Sequence, residues 1–558
     1  MPRTARRWAS VALAVLVLGA AGLRLAGIGY LLPGVMNRDG LVLVRQVDIL
    51  RGDPPTMDGD AWRYPFYPLL MARIAAALPR TESPPAEPTP LARHLELASA
   101  PWIRLREISV LLSLLAIPAT YLLARRFVDR ASALFAAALV ATSLHHIVLA
   151  IQEKPHAAAT SFVALALLAA LRLRRKPDPL AYVACGVAAG LAIGTLQNAG
   201  ACLLAIGAAF CLRDRTRGGA SAWWLAATVA ILLGAVRLFY PFLFEASGAA
   251  RTPGTLDLAH KIAEGFDGAP WPRILAAVWA LDPVLVTCAV VGILLWLAAA
   301  VRDPARRRSA LRGDLAVCLA LVVPYALVLG LYRESLVRFC LPFVPLLACC
   351  AAFAFQRLRG AHAAVRASVA VALVAAALWP ALHFARIRCV PGPMEEAARW
   401  IEANTDPGET IVVMPKYDLP ILPTSAALEQ NARPAYRTIW AEYLAHVPAR
   451  SLAGPRRSIL VEPGELPESR LDFVKAPLEH LRRYDARHLV LDLSGFANGF
   501  LLGQAELAVR ISPAIHDDGR KRGVVLWGTG YDPLRPSAFS ILGLRSLGTA
   551  VEIYRVPR

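Results

Sequence analysis

The sequence has few charged residues and lacks the motifs of several large protein classes. Asp, Glu, Lys and Arg make up 18% of its 558 residues, whereas 56% are hydrophobic. A soluble protein of this length rarely carries so many long apolar runs. Lys and Arg outnumber Asp and Glu by 60 to 41, giving a net charge of +19, but no nucleic-acid recognition motif accompanies that charge. The composition favours a membrane protein, and we expect no nucleic-acid partner.

The cysteines are arranged neither for disulfides nor for metal binding. None of the nine has metal-ligand spacing, and all but Cys389 lie in apolar runs or at their ends, which is typical of small buried hydrophobes. Since no cysteine follows Cys389, the C-terminal region has no internal disulfide framework. The sequence also lacks a phosphate-binding glycine loop and a His/Asp cluster at ligand spacing. We therefore expect no cofactor and no metal.

Long apolar runs recur along the first two thirds of the chain, and about 20 helical residues cross a bilayer. They predict about eleven transmembrane helices. The predicted spans are 8–28, 105–124, 132–151, 157–173, 180–197, 199–212, 222–244, 273–301, 314–332, 336–356 and 363–384. The first run follows a basic stretch, as in a signal peptide, but its length favours an uncleaved helix.

The connections between these spans alternate in charge. Every second one is short and rich in arginine, so the positive-inside rule places it in the cytoplasm. The intervening connections, including the long first loop 29–104, are then external. We therefore predict a multi-pass inner (plasma) membrane protein with a cytoplasmic N-terminus and an extracytoplasmic C-terminal region.

The residues after the last span change character. The stretch MEEAARWIEANTDPGETIVVMP is typical of an amphipathic helix, a turn and a strand, and PLEHLRRYDARHLVLDL repeats the order of helix and strand. This indicates a soluble α/β domain. The predicted organisation is a membrane module at 1–386 and a soluble domain at 387–558.

Acidic and aromatic residues follow the first span. Asp39 lies near the predicted outer surface, where a carboxylate can accept a proton from an attacking hydroxyl or can simply cap a helix. Tyr64 and Tyr67 stand in YPFYPLLMARIAAAL, which is typical of an interfacial helix with aromatic side chains at the headgroups. An ordinary packing helix explains that stretch equally well.

Charged residues also mark other predicted outer ends. Glu153, Lys154 and His156 lie in QEKPH at the start of a span, where they form either a stabilising ion pair or part of a catalytic loop. Arg338, and more weakly Arg237 and Arg333, can clamp a phosphate or extend to the lipid headgroups.

These motifs resemble the C-type glycosyltransferase (GT-C) superfamily, in particular bacterial proteins similar to glycosyltransferase family 39. That group includes protein O-mannosyltransferases and lipid A aminoarabinose transferases. The resemblance rests on NRDG (37–40), the interfacial stretch 49–70, the second and third spans, QEKPH (152–156), GVAAGLAIGTLQNAG (186–200), VRFCLPFVPLLA (337–348) and the C-terminal region. The sequence departs from the pattern at Gly40, where the family has a second acid, and at Lys154, where it has arginine.

The resemblance implies a GT-C-like fold and an inverting sugar transfer from a polyprenyl-phosphate carrier on the outer face of the membrane. Asp39 would be the base, with Arg338 and Lys154 near the donor phosphate. The implied partners are that donor, membrane lipid, and a glycan, lipid or protein acceptor. Two alternatives remain open. A flippase or transporter of lipid-linked sugars would favour inverted repeats and charged residues at the midplane, and the loss of the second acid permits a catalytically silent scaffold.

Overall fold

A computed structural model provides the fold of the chain. It describes residues 3–34, 38–52, 68–80, 82, 85, 87–213, 222–241, 270–303, 313–332, 335–414, 419–431, 438–461, 477–492, 505–516, 523–524 and 537–557. Tyr64 and Tyr67, which the sequence places in an interfacial helix, lie outside these ranges, as does Arg333.

The first part of the described chain is almost entirely helical. Its first eight helices are α1 (Arg3–Leu25), α2 (Arg38–Arg51), α3 (Leu70–Ala77), α4 (Leu91–Leu114), α5 (Ala116–Ala124), α6 (Arg130–Thr142), α7 (Leu144–Ala150) and α8 (His156–Arg175). The next eight are α9 (Pro179–Thr195), α10 (Cys202–Cys211), α11 (Ala222–Phe239), α12 (Pro270–Leu281), α13 (Pro283–Arg302), α14 (Asp314–Leu331), α15 (Val344–Gln356) and α16 (Ala363–Ile387). Three 3₁₀ segments join them at Gln197–Ala201, Val337–Phe343 and Arg357–Gly360.

Many of these helices can cross a membrane. Seven spans in the described residues are long and apolar enough, and the bent pair α6–α7, with an angle of 50°, makes eight if it counts as one span. Three shorter apolar segments, at Pro179–Thr195, Gln197–Cys211 and Trp223–Phe239, fall below that length. The chain is therefore a polytopic helical membrane protein. Each of the eleven predicted ranges contains a helix, but a count of eleven spans stays a prediction.

Small residues determine how closely two of the shorter helices pack. Gly186, Gly190 and Gly194 recur at every fourth residue of α9 and so lie on one face. A Cβ on Gly186 would lie 2.8 Å from the carbonyl oxygen of Thr228, and one on Gly194 would lie 2.6 Å from the Cβ of Phe239. This spacing of small residues lets α9 approach the backbone of α11, as in many membrane helix pairs.

Five further helices and most of the strands lie in the described residues of the C-terminal part. The helices are α17 (Pro393–Asn404), α18 (Ser425–Asn431), α19 (Ile439–Ala445), α20 (Pro477–Arg483) and α21 (Ala538–Leu542). The strands among the described residues are β1 (Thr89–Pro90), β2 (Thr410–Met414), β3 (Leu452–Ala453), β4 (Ser458–Val461), β5 (Ala486–Asp492), β6 (Glu506–Ile511), β7 (Gly523–Val524), β8 (Gly548–Thr549) and β9 (Val551–Arg555).

Five of these strands form one mixed sheet in the order β4-β2-β5-β9-β6. Strands β4, β2 and β5 are parallel, and β9 runs antiparallel to both of its neighbours. The sheet carries apolar residues on both faces, and Ile401 of α17 packs on the face that includes Ile411 and Val490. This region combines helices and strands as the sequence indicates. The boundary at 386/387 stays a prediction.

The C-terminal region contacts the membrane part through α4 and the strand before it. β1 pairs in parallel with β3, with Thr89 opposite Leu452. His94 of α4 is completely buried there. Its Nε2 donates to the carbonyl of Ser451 at 3.1 Å, and its Nδ1 lies 3.0 Å from the hydroxyl of Tyr443. Helix α4, which contacts the C-terminal region through His94, also carries Arg106 of the candidate site.

Candidate functional site

The site centres on a buried ion pair between α4 and the loop before α8. The guanidinium of Arg106 donates to the carboxylate of Glu153, and both side chains are buried. Another nitrogen of Arg106 donates to the carbonyls of Ile28 and Tyr30 at 2.6 and 3.0 Å, and its guanidinium lies 4.6 Å from the centre of the Tyr30 ring. Arg106 therefore joins the Glu153 loop to the segment that follows α1.

The first turn of α2 packs directly on this pair. Gly40 is buried, and a Cβ added to it would lie 2.6 Å from Cζ3 of Trp102 and 3.0 Å from the Cβ of Glu153. Asp39 precedes Gly40 in the same turn, although its side chain is outside what the structure describes. The backbone at Asp39 thus lies beside the loop that carries Glu153. A second acid at Gly40, as in the family pattern, has no room.

The neighbours of Glu153 are buried as well. Lys154 has no exposed surface, and its carbonyl accepts a hydrogen bond of 3.3 Å from the hydroxyl of Ser109. His156 begins α8, and its ring centre lies 5.7 Å from that of Phe339. Lys154 lies two residues before His156, and Arg338 directly precedes Phe339 in the segment that packs on His156. The fold therefore brings together three residues that the sequence singled out from two distant segments.

Arg338 lies in the 3₁₀ segment Val337–Phe343, and its guanidinium lies 5.3 Å from the centre of the Phe339 ring. Its side chain is half-buried, whereas that of Arg237, near the end of α11, is exposed. Arg338 and Arg237 both lie within the described residues. Of these two arginines, Arg338 is the one next to the cluster formed by Glu153, Lys154 and His156.

Helix α7, which follows a break after α6, packs on α8, the helix that begins with His156 of the candidate site. Breaking a helix leaves backbone carbonyls without their usual donors, and buried Arg24 supplies donors at this break. Its Nη1 donates a hydrogen bond of 3.1 Å to the carbonyl of Ala141, and its Nη2 donates one of 3.0 Å to Nδ1 of His146. No motif in the sequence singles out Arg24 or Arg106. An ionisable residue within a long apolar run was the available signal.

A second buried group holds the other side of this break. Asp282 lies between α12 and α13. Its carboxylate accepts a hydrogen bond of 2.5 Å from the hydroxyl of Ser143 and one of 2.7 Å from the backbone N–H of Leu144. These bonds satisfy the first turn of α7 and join it to α12 and α13. Asp282 was also missed, because only the fold brings it to a residue 139 positions away.

No group of three or more His, Cys, Asp or Glu side chains in the described ranges could hold a metal ion. The cluster is instead rich in cations and buried hydrogen-bond donors. Such groups can stabilise an anion that has left water. The expectation that no cofactor is needed stays a prediction.

One family model matches a segment of the chain that includes four residues of the candidate site. Residues 84–240 match the family model described as dolichyl-phosphate-mannose-protein mannosyltransferase. This match confirms the predicted family resemblance. The matched segment contains Arg106, Glu153, Lys154 and His156, whereas Asp39 and Arg338 lie outside it. No curated protein matches the chain significantly.

The chain is weakly similar to several solved structures. The oligosaccharyltransferase of Archaeoglobus fulgidus has a TM-score of 0.46 at 15% identity, over 92% of this chain and 74% of that one. ArnT of Cupriavidus metallidurans, bound to undecaprenyl phosphate, has a TM-score of 0.44 at 14% identity, over 90% and 96%. The mycobacterial arabinofuranosyltransferase AftD has a TM-score of 0.41 at 17% identity, over 99% and 42%. These values are too low to assign a residue role or a substrate to this chain.

Proposed function

We propose that the chain is a membrane glycosyltransferase that moves a sugar from a polyprenyl-phosphate-linked donor to an acceptor on the outer face of the membrane. One observation carries the proposal: buried Glu153, which buried Lys154 and His156 follow in the same loop and helix start, lies beside the first turn of α2, the turn that contains Asp39. The match to a family of lipid-phosphate-dependent mannosyltransferases includes this loop.

The cations favour a donor that carries a phosphate. Lys154 lies two residues before His156, and Arg338 comes from a different segment and precedes Phe339, whose ring centre lies 5.7 Å from that of His156. An ammonium group and a guanidinium group are the two side-chain cations that bind phosphate oxygens. In a transfer from a lipid phosphate the phosphate is also the leaving group, so cations beside it stabilise the negative charge that develops on it.

Asp39 is the proposed general base. A carboxylate at this place removes a proton from the acceptor hydroxyl as the hydroxyl attacks the sugar. Glu153 is committed to Arg106, so its role is to position the loop that carries Lys154 and His156. Tyr64 and Tyr67 retain the role that the sequence gives them, an aromatic cover at the lipid headgroups.

The proposal requires these residues at the outer surface. We propose eleven spans with a cytoplasmic N-terminus and an external C-terminal region, because arginine-rich connections alternate along the sequence. Reporter fusions after Arg175 and Arg359 should then read cytoplasmic, and a fusion after Pro393 should read external. A cytoplasmic result after Pro393 would mean that the span count is wrong and that the candidate site does not lie at the outer face of the membrane.

Donor binding is tested on the purified chain with undecaprenyl phosphate as the probe, by native mass spectrometry. We expect Arg338→Ala to weaken binding at least about tenfold and Arg338→Lys to recover part of it, since a point charge does not reproduce the guanidinium fork. Arg237→Ala is the matched control, because it removes an exposed arginine. Equal affinities of Arg338→Ala and Arg237→Ala would contradict the proposed phosphate site.

The acceptor is a glycan, a lipid or a protein at the same face. Mass spectrometry of surface glycans and glycolipids from a deletion strain should reveal one product that lacks a sugar. Complementation with the wild-type chain should restore that sugar, and an unchanged profile in the deletion strain would argue for the flippase or scaffold alternatives.

A further inference from the structure

A groove opens at the end of α8 that lies away from the candidate site. It has a volume of about 690 Å³ and runs between α5, α8 and α9. Leu122, Phe162, Leu165 and Val187 line its apolar part, and four arginines line its other end. A volume of this size suits a small ligand or part of a lipid.

The wall formed by α8 changes from apolar to basic along one face. Phe162, Leu165, Ala169 and Arg172 follow one another at three- or four-residue spacing and so lie on the same side of the helix. Ten residues separate Phe162 from Arg172, which corresponds to about 15 Å along the helix axis. That length is half of the roughly 30 Å hydrocarbon core. The groove is therefore as deep as one leaflet.

Two of the four arginines already have acidic partners. Arg172 pairs with Asp178 at 2.8 Å, and Arg175 pairs with Asp314. These pairs fix the basic end of α8 against its neighbours. The positive charge that these pairs do not offset comes from the other two arginines, Arg125 and Arg126.

Arg125 and Arg126 supply that charge from the turn after α5. Arg125 donates to the carbonyl of Val128 at 2.7 Å. Within the described part of the chain, neither arginine has a carboxylate at ion-pair distance. Burial and the like charges of Arg175 and Arg172 lower the pKa of Arg126, and Asp314 opposes this only in part. An added anion would relieve this repulsion.

We propose that the groove binds one anionic phospholipid of the leaflet at this end of the bundle, which is the cytoplasmic leaflet in the proposed topology. The phosphate lies at Arg125 and Arg126, and an acyl chain follows Leu122, Leu165 and Val187. The apolar wall distinguishes this ligand from a soluble anion. The charges of Arg125 and Arg126, which no carboxylate in the described residues offsets at ion-pair distance, distinguish it from a zwitterionic lipid, whose ammonium group they repel.

The test measures lipid binding to the purified full-length chain by native mass spectrometry, with phosphatidylglycerol and phosphatidylcholine as the two probes. The wild type should bind phosphatidylglycerol at least tenfold more tightly than phosphatidylcholine. The double variant R125Q/R126Q should lose this preference. The control R357Q/R359Q removes two exposed arginines from the segment after α15, so it should keep the preference.

A second pair of variants tests the apolar part without changing charge. Val187→Trp fills the groove from a residue that is 42% exposed, and Val290→Trp adds the same bulk at a residue that is 48% exposed on α13. Only Val187→Trp should weaken phosphatidylglycerol binding, by at least fivefold. Equal binding of both lipids to the wild type, or an unchanged preference in R125Q/R126Q, would overturn the proposal and leave these arginines as ordinary headgroup contacts.

Discussion

Arg106 and Glu153 form a salt bridge whose side chains are only 7% and 2% exposed, although 47 residues separate them in the chain. Because Arg106 also holds the carbonyls of Ile28 and Tyr30, this pair joins three segments of the bundle at the candidate site. The position of Lys154, the next residue, therefore depends on a buried contact and not on the loop alone.

Replacing Glu153 by Gln should destabilise the protein strongly. The change keeps the shape of the side chain but leaves the charge of Arg106 buried without its partner, a loss that costs about 3–5 kcal/mol. Thermal unfolding in detergent measures the effect as a lower Tm. Glu107→Gln, one residue after Arg106 and exposed, is the control. In a double-mutant cycle, Arg106→Met should reduce the cost of Glu153→Gln; additive losses would mean that the two side chains act independently.

Gly40 should not tolerate any side chain. Gly40→Ala would place a methyl group 2.6 Å from the buried ring of Trp102, and overpacking of this kind typically costs about 1–3 kcal/mol. Gly22→Ala in α1, where nothing lies within 4 Å of an added Cβ, is the control. Gly40→Glu restores the second acid of the family pattern, and we expect it to lower both Tm and activity. A more active Gly40→Glu variant would show that the site can accommodate that acid.

His94 should hold the C-terminal region against α4. Since Nε2 donates to the carbonyl of Ser451, a neutral ring accepts the hydroxyl proton of Tyr443 at Nδ1. Burial raises the pKa of Tyr443 to about 12, so this donor persists at physiological pH. His94→Leu leaves the carbonyl of buried Ser451 without this donor, at about 1–3 kcal/mol, and removes the acceptor of the half-buried Tyr443 hydroxyl.

Hydrogen exchange measures this loss directly. Amides of α19 and β3 should exchange faster in His94→Leu, while those of α8 should change little. His446→Leu is the control, because His446 is exposed and contacts the carbonyl of Glu442, one turn earlier in the chain. Equal exchange in the two variants would mean that the β1–β3 pairing alone holds the contact.

The sequence predicts the helical part well because membrane helices carry their signal in continuous apolar runs. Every predicted span contains a helix, and the bend between α6 and α7 is the feature that hydropathy missed, since Ser143 does not interrupt the apolar run. Its cause is local: the Ser143 side chain caps α7 by accepting from the backbone N–H of His146 at 3.1 Å.

The candidate site is most easily predicted where its residues are neighbours in sequence. Glu153, Lys154 and His156 stand together in QEKPH, so one motif suggests all three. Arg106 carries no such signal, because it acts through a residue 47 positions away, and His94 meets Tyr443 across 349 positions. Contacts of that range depend on how the helices pack, which a periodic pattern does not encode.

The central claim is that Asp39 is the base of a sugar transfer, and the rate of donor consumption by Asp39→Asn tests it most directly. Asparagine keeps the size of the side chain but is not a base, so turnover of a polyprenyl-phosphate sugar should fall at least about a hundredfold. The Tm and the affinity for undecaprenyl phosphate should stay near wild type, because asparagine caps a helix as well as aspartate does. Asp58, a second acid of the predicted external loop 29–104, provides the control, and Asp58→Asn should be fully active. An active Asp39→Asn variant, or one that loses activity only because it unfolds, would contradict the claim and leave Asp39 as a helix cap.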